Sequence, residues 1–207
     1  PSIPSLNKSP FNSSSSAVAA DFLCSTTLRP SSDTNPITSL SIHGNLIYAA
    51  SGHQISVYDR ATSSLLDSFN GSGDCTGSVK AFAFSGDGRI LTAHQDSRIR
   101  AWKSKSKSTE SNWHKLIAAL PTAADRLRHF AFPSSYVAVR RHRKILKIQH
   151  ADAVSDLAVN DSQIYSVSWD RSLKIWKSSS LRCTESLQAA HDDAINSLVV
   201  SKDGVVY

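Results

Sequence analysis

The sequence predicts an all-β chain built from a four-stranded antiparallel unit that recurs about every 42 residues. Three observations carry that reading. Ile164, Tyr165 and Val167 lead into the polar turn Trp169-Asp170-Arg171-Ser172, and Leu173, Ile175 and Trp176 follow, which is the pattern of a β-hairpin. Upstream, His150 opens a further strand in His150-Ala-Asp-Ala-Val-Ser-Asp-Leu-Ala-Val159, and the same opening returns 41 residues later at His191. Asp96 precedes Trp102 by six residues, as Asp170 precedes Trp176 by six.

A period of about 40–45 residues, with a His before one strand and a Trp ending a later one, is the signature of a WD-repeat β-propeller. On that frame residues 1–34 are a Ser/Pro-rich segment expected to be disordered. Five of the seven prolines fall in the first 40 residues beside the Ser13–Ser16 tract, and such a stretch buries too little apolar surface to offset its ordering entropy. A phosphorylated tail is the functional alternative there. Residues 35–207 are expected to form the partial propeller. Its first blade takes strands 37–42, 46–50, 54–58 and 65–69, joined at His43-Gly44-Asn45 and with Tyr58 where the signature has Trp. The second takes 79–84, 89–93 and 99–102, with Ser85-Gly86-Asp87-Gly88 as a turn.

Trp102 to Trp176 spans 74 residues whereas Tyr58 to Trp102 spans 44, so an insertion is expected at about 103–143. Within it 103–112 reads as a charged flexible loop, 113–120 as a strand, and 123–130 as one or two helical turns before Pro133. Residues 144–149 are expected to restore the fourth strand of the second blade. The third blade is regular, with strands 153–159, 163–168, 172–176 and 183–187, and a fourth begins at His191. About three and a half blades are therefore expected, and the absence of Met and the end at Tyr207 read as those of a fragment.

Composition narrows the function. Cys24, Cys75 and Cys183 are odd in number and widely spaced, forming neither a disulfide framework nor a zinc pattern, which favours a reducing compartment. No run approaches the roughly 18 apolar residues of a membrane span, and the net charge of +6 raises only slightly the prospect of acidic partners. The Gly-rich stretch 71–77 lacks the Gly-Lys-Ser/Thr ending of a phosphate loop and reads as a blade connector. No cofactor, metal or membrane is expected.

His150, Ser168, Asp170 and Trp176 contain the residue types of a catalytic Ser-His-Asp set. In a blade of this pattern they read instead as a buried relay, Asp to His, His to Ser and Ser to the indole N–H, with Ser166 as the alternative hydroxyl. The second blade has Cys75 or Thr76 in the His position, and the first has Gly52 in the Asp position. Trp169 and Arg171 stand in the turn, where an exposed aromatic beside a guanidinium suits protein binding; packing of Trp169 on a neighbouring loop is the other reading. Arg140, Arg141 and Arg143, with His142, Lys144 and Lys147, form the densest basic cluster. That cluster fits an acidic protein segment, nucleic acid or simply a solvated edge.

Over roughly 35–207, insertion included, and most particularly from residue 136 onward, the chain resembles the plant JINGUBANG-like WD-repeat proteins. The similarity lies in Tyr136-Val-Ala-Val-Arg-Arg-His-Arg143, His150-Ala-Asp-Ala-Val-Ser155, Val167-Ser-Trp-Asp-Arg-Ser-Leu-Lys-Ile-Trp176, Leu181-Arg-Cys-Thr-Glu-Ser-Leu187 and Ala190-His-Asp-Asp-Ala-Ile195. The resemblance implies a seven-bladed, non-enzymatic propeller of the plant cytoplasm or nucleus that acts in regulation through protein contacts. Proteins are thus the expected partners and nucleic acid the alternative.

Overall fold

A computed structural model describes residues 27–28, 35–70, 77–104, 113–140 and 143–207. Three four-stranded antiparallel sheets follow one another along the chain, each in simple sequence order. The first holds β1 (Ile37–His43), β2 (Leu46–Ser51), β3 (Gln54–Asp59) and β4 (Leu65–Phe69). The second holds β5 (Val79–Phe84), β6 (Arg89–His94), β7 (Ile99–Ser104) and β8 (His114–Leu120). A helix α1 (Ala123–Phe130), a 3₁₀ turn (Pro133–Ser135) and a hairpin of β9 (Tyr136–Arg140) and β10 (Arg143–Leu146) come next. The third sheet is β11 (Val154–Asn160), β12 (Gln163–Ser168), β13 (Leu173–Lys177) and β14 (Arg182–Leu187). Beyond it the chain makes a short bridge between Val200 and Val206. The disorder expected over 1–34 and the loop expected over 103–112 lie mostly outside the described residues.

One expectation is overturned. The fourth strand of the second blade is β8, paired with β7 from Ile99↔Leu120 to Ser104↔His114, and not 144–149. Residues 143–146 pair with β9 instead. The inserted structure therefore follows a completed blade. The physical reason is reach: β8 can fold straight back on β7, whereas 144–149 would have to return across the helix.

The three sheets share their irregularities. Each has a register shift on the first strand, at Ile37/Ser39, Val79/Ala81 and Val154/Asp156. Each has another just before Tyr58, Trp102 or Trp176. A bulge bends its strand and adds twist, so repeating it at matched positions gives the blades one common shape.

Apolar cores lie between neighbouring blades. Tyr48, Ile55 and Phe69 of the first meet Val79, Ile90 and Trp102 of the second; Leu91, Ile99 and Leu120 of the second meet Val154, Ile164 and Trp176 of the third. The Phe69 and Trp102 rings pack edge-on at 4.9 Å. Each third-strand Trp thus packs toward the preceding blade, and stability depends on blade stacking. Ile164 is fully buried in the second of these cores. Ile164→Ala is expected to lower stability by about 2–5 kcal/mol through the cavity it leaves, read as a lower urea midpoint with an unchanged m-value.

Candidate functional site

The third blade brings together most of the residue types singled out above. Trp176 donates its indole N–H to Ser166 Oγ at 2.9 Å, and His150 Nε2 lies 2.8 Å from the same oxygen. On the other side of the ring, His150 Nδ1 is 2.8 Å from Ser172 Oγ. The hydroxyl is therefore that of Ser166, not Ser168. Trp176 pairs with Ile164 across the hairpin, so Ser166 is its diagonal neighbour. Ser168 sits four residues along from Ile164, about 13 Å at about 3.3 Å per residue, and its hydroxyl donates to the Asp152 carbonyl instead.

Asp170 does not bond to the ring directly. Its Oδ2 is 3.6 Å from His150 Nδ1, with Ser172 taking the hydrogen-bonding position. The carboxylate accepts the backbone N–H groups of Ala151 and Ser172, tying the His150 approach to the turn. Burial would raise the Asp170 carboxyl, but contact with His150 and these hydrogen bonds outweigh it and hold it well below the carboxylate range. Burial, opposed by Asp170, lowers the His150 pKa and favours the neutral ring.

In the second blade the same chain is built from other residues. Trp102 donates to Thr92 Oγ1 at 2.9 Å, Thr92 Oγ1 is 2.7 Å from His94 Nε2, and His94 Nδ1 is 3.0 Å from the Gly77 carbonyl. A carbonyl only accepts, so Nδ1 carries the proton and Thr92 donates to a bare Nε2. Burial, with the nearby Arg100 cation, lowers the His94 pKa to about 4. His94 ends β6, at the position Ser168 holds in the third blade. Cys75 and Thr76, expected in the His role, lie outside the described residues. Period alone could not find His94, because it enters from the strand rather than from the blade opening. Gly77 is required there, since a Cβ would lie 2.5 Å from the Asp96 nitrogen.

A second link escaped the sequence reading. His114 Nδ1 lies 2.7 Å from Asp67 Oδ2, with both side chains 1 % exposed, and the contact joins β8 to β4. The Trp113 N–H bonds to the same oxygen, and the His114 ring stacks on Phe69 at 4.5 Å. Its residues are 47 apart in sequence and belong to different blades, so no local pattern signals it. Burial, and secondarily Asp67, raises the Tyr48 phenol to about 12.

The turn residues lie outside the relay. Trp169 is 39 % exposed, and Lys80 Nζ sits 5.1 Å from the centre of its ring. Arg171 is exposed on a left-handed backbone with φ 68°, and its carbonyl accepts the Ala190 N–H. Of the basic cluster, Arg143 and Lys144 on β10 are exposed; Arg141, His142 and the Arg140 side chain lie outside the described residues. Among the described residues no group of His, Cys, Asp and Glu could hold a metal, and no helix is long and apolar enough to cross a membrane.

The WD40 family (WD domain, G-beta repeat) matches residues 63–103 and 143–177. Among solved structures the chain is similar to the WD40 repeats of RRP9, at 21 % identity with a TM-score of 0.56, covering 83 % of this chain and 43 % of that one. U3-55K is similar at 22 % identity and a TM-score of 0.55, with 83 % and 44 % covered. No curated protein matches the chain. The chain thus spans less than half the length of these two structures. Two stretches of the chain match the WD40 repeat model, and the fold is part of a WD-repeat β-propeller.

Two outcomes follow for the relay. Ser166→Ala should cost about 1–3 kcal/mol, because it strands a buried indole N–H, whereas Ser166→Thr should recover part of the loss in urea unfolding. His94 binds its proton less tightly folded than unfolded, where about 6.5 is normal. Its contribution is complete above that value and lost as pH falls toward about 4. Stability should therefore decline between about pH 6.5 and 4, and His94→Gln should flatten that slope in denaturant melts.

Proposed function

We propose that this protein is a non-catalytic protein-interaction scaffold, of the regulatory plant kind its sequence resembles, working in the cytoplasm or nucleus. WD40 repeats generally mediate protein–protein contacts. The observation that carries the reading is the saturation of the relay. His150, Ser166, Ser172 and Trp176 are buried and bonded to one another, so the side chains that resemble a catalytic set are committed to holding strands. Discrimination between partners falls to turn residues on that rigid frame. Trp169 supplies half-exposed aromatic area, and Arg171, exposed and with Nη1 near the Asp192 carbonyl at 3.5 Å, stands two residues away. Arg140, Arg141 and Arg143 are a second contact surface, suited to an acidic segment of a partner.

Affinity capture with the full-length protein tests this. Trp169→Ala/Arg171→Ala is expected to cut recovery of bound proteins at least about tenfold, with circular dichroism showing an unchanged fold. Changing Arg140, Arg141 and Arg143 to Ser should reduce a subset of partners in a salt-sensitive way. Full recovery from both variants would refute the site assignment, and small-molecule turnover abolished by a relay substitution would overturn the scaffold reading.

A further inference from the structure

We propose that the cleft between the β6–β7 turn and the inserted helix and hairpin binds a phosphate monoester carried on a serine or threonine of a partner protein, through Arg98, Arg126 and Arg143. The inference deepens the scaffold reading and rests on it for the protein origin of the ligand. The cleft has a volume of about 450 Å³, within the range of sites that enclose a small group. Its three arginines come from separate segments: Arg98 from the turn of the second blade, Arg126 from α1 and Arg143 from β10.

Three exposed arginines lining one cleft bring like charges together, a repulsion that an anion among them would relieve. Four arginines elsewhere meet carboxylates, whereas Arg60 and Arg171 form no ion pair among the described residues: Arg89 pairs with Asp87, Arg100 with Asp96, and Arg128 and Arg182 with Asp125. The Arg98, Arg126 and Arg143 side chains form no ion pair among the described residues, although the Arg98 backbone N–H bonds to Asp96 Oδ1. Asp96 also lines the cleft, but both its oxygens are engaged by Arg100, which offsets its charge. His150 lines it as well, with its ring nitrogens turned to Ser166 and Ser172. The first residue of α1, Ala123, borders the same space.

The planar forks of arginine match the oxygens of a phosphate two at a time. Nucleic acid is the poorer fit. It presents a row of phosphates to an extended basic track, whereas this cleft is bounded by blade turn, helix and hairpin and its volume suits one compact group.

The test is isothermal titration of the full-length protein with four probes: a Gly-Gly-phosphoserine-Gly-Gly peptide, its unphosphorylated form, glucose 6-phosphate and a 20-nucleotide single-stranded RNA. The phosphopeptide is expected to bind and its unphosphorylated form not to. Arg126→Gln and Arg143→Gln should each weaken binding about tenfold, and Arg143→Lys should weaken it less. Arg128→Gln, outside the cleft, should leave it unchanged. Absence of phosphopeptide binding, or insensitivity to both Gln variants, overturns the site. Glucose 6-phosphate binding as tightly as the phosphopeptide overturns the protein origin, and RNA binding without phosphopeptide binding overturns the ligand. Phosphopeptide binding alongside failed protein capture would sink the scaffold reading alone; capture without phosphopeptide binding would sink this site alone.

Discussion

The hydrogen bond from a third-strand indole to a hydroxyl on the second strand is the constraint on which the second and third blades depend. Trp102 and Trp176 are large buried side chains that fill the spaces between blades, and an unpaired indole N–H there would oppose the burial that drives the stacking. Thr92 and Ser166 remove that cost. The hydroxyls in turn meet His94 and His150, whose outer nitrogens meet a carbonyl and another hydroxyl. Packing between sheets and the shape of the turns are therefore settled by one connected set of polar groups.

A single position opposite the relay hydroxyl shows how the same frame takes different side chains. In the second blade it holds Arg100, which reaches Asp96 within its own turn. In the third it holds Lys174, fully buried, whose ammonium donates to the Lys147 carbonyl and Ser186 Oγ, each at 2.6 Å. Burial lowers the Lys174 pKa to about 8, with Asp170 opposing. Asp125 acts from the other side: this buried carboxylate on α1 accepts the Cys183 N–H and meets Arg182 on β14. The insertion follows the second blade in sequence yet is fastened to the third, and it covers part of an outer strand that would otherwise offer unpaired groups.

Strands with alternating apolar residues were legible to within a residue or two, because Ile164, Tyr165 and Val167 or Leu91 and Ala93 leave little choice of face once the turns are set. The choice between Ser166 and Ser168 was also recoverable, since antiparallel register makes Ser166 the diagonal neighbour of Trp176. What alternation could not assign was the partner of a strand. Residues 143–149 look like an outer strand and the family match begins there, but β8 had already taken that place. The His94 substitution and the Asp67–His114 contact stayed hidden for a related reason: each depends on which segments meet in space, and neither repeats with the period.

The placement of the four tryptophans has an optical consequence. Trp102 and Trp176 are 4 % and 1 % exposed, whereas Trp113 is half-buried and Trp169 is 39 % exposed beside an ammonium. Intrinsic fluorescence is accordingly a composite of an interior, blue-shifted population and a surface population open to iodide. The quenchable fraction would report on the turn face while the remainder reports on the blades, so one label-free spectrum separates a change in binding surface from a change in fold.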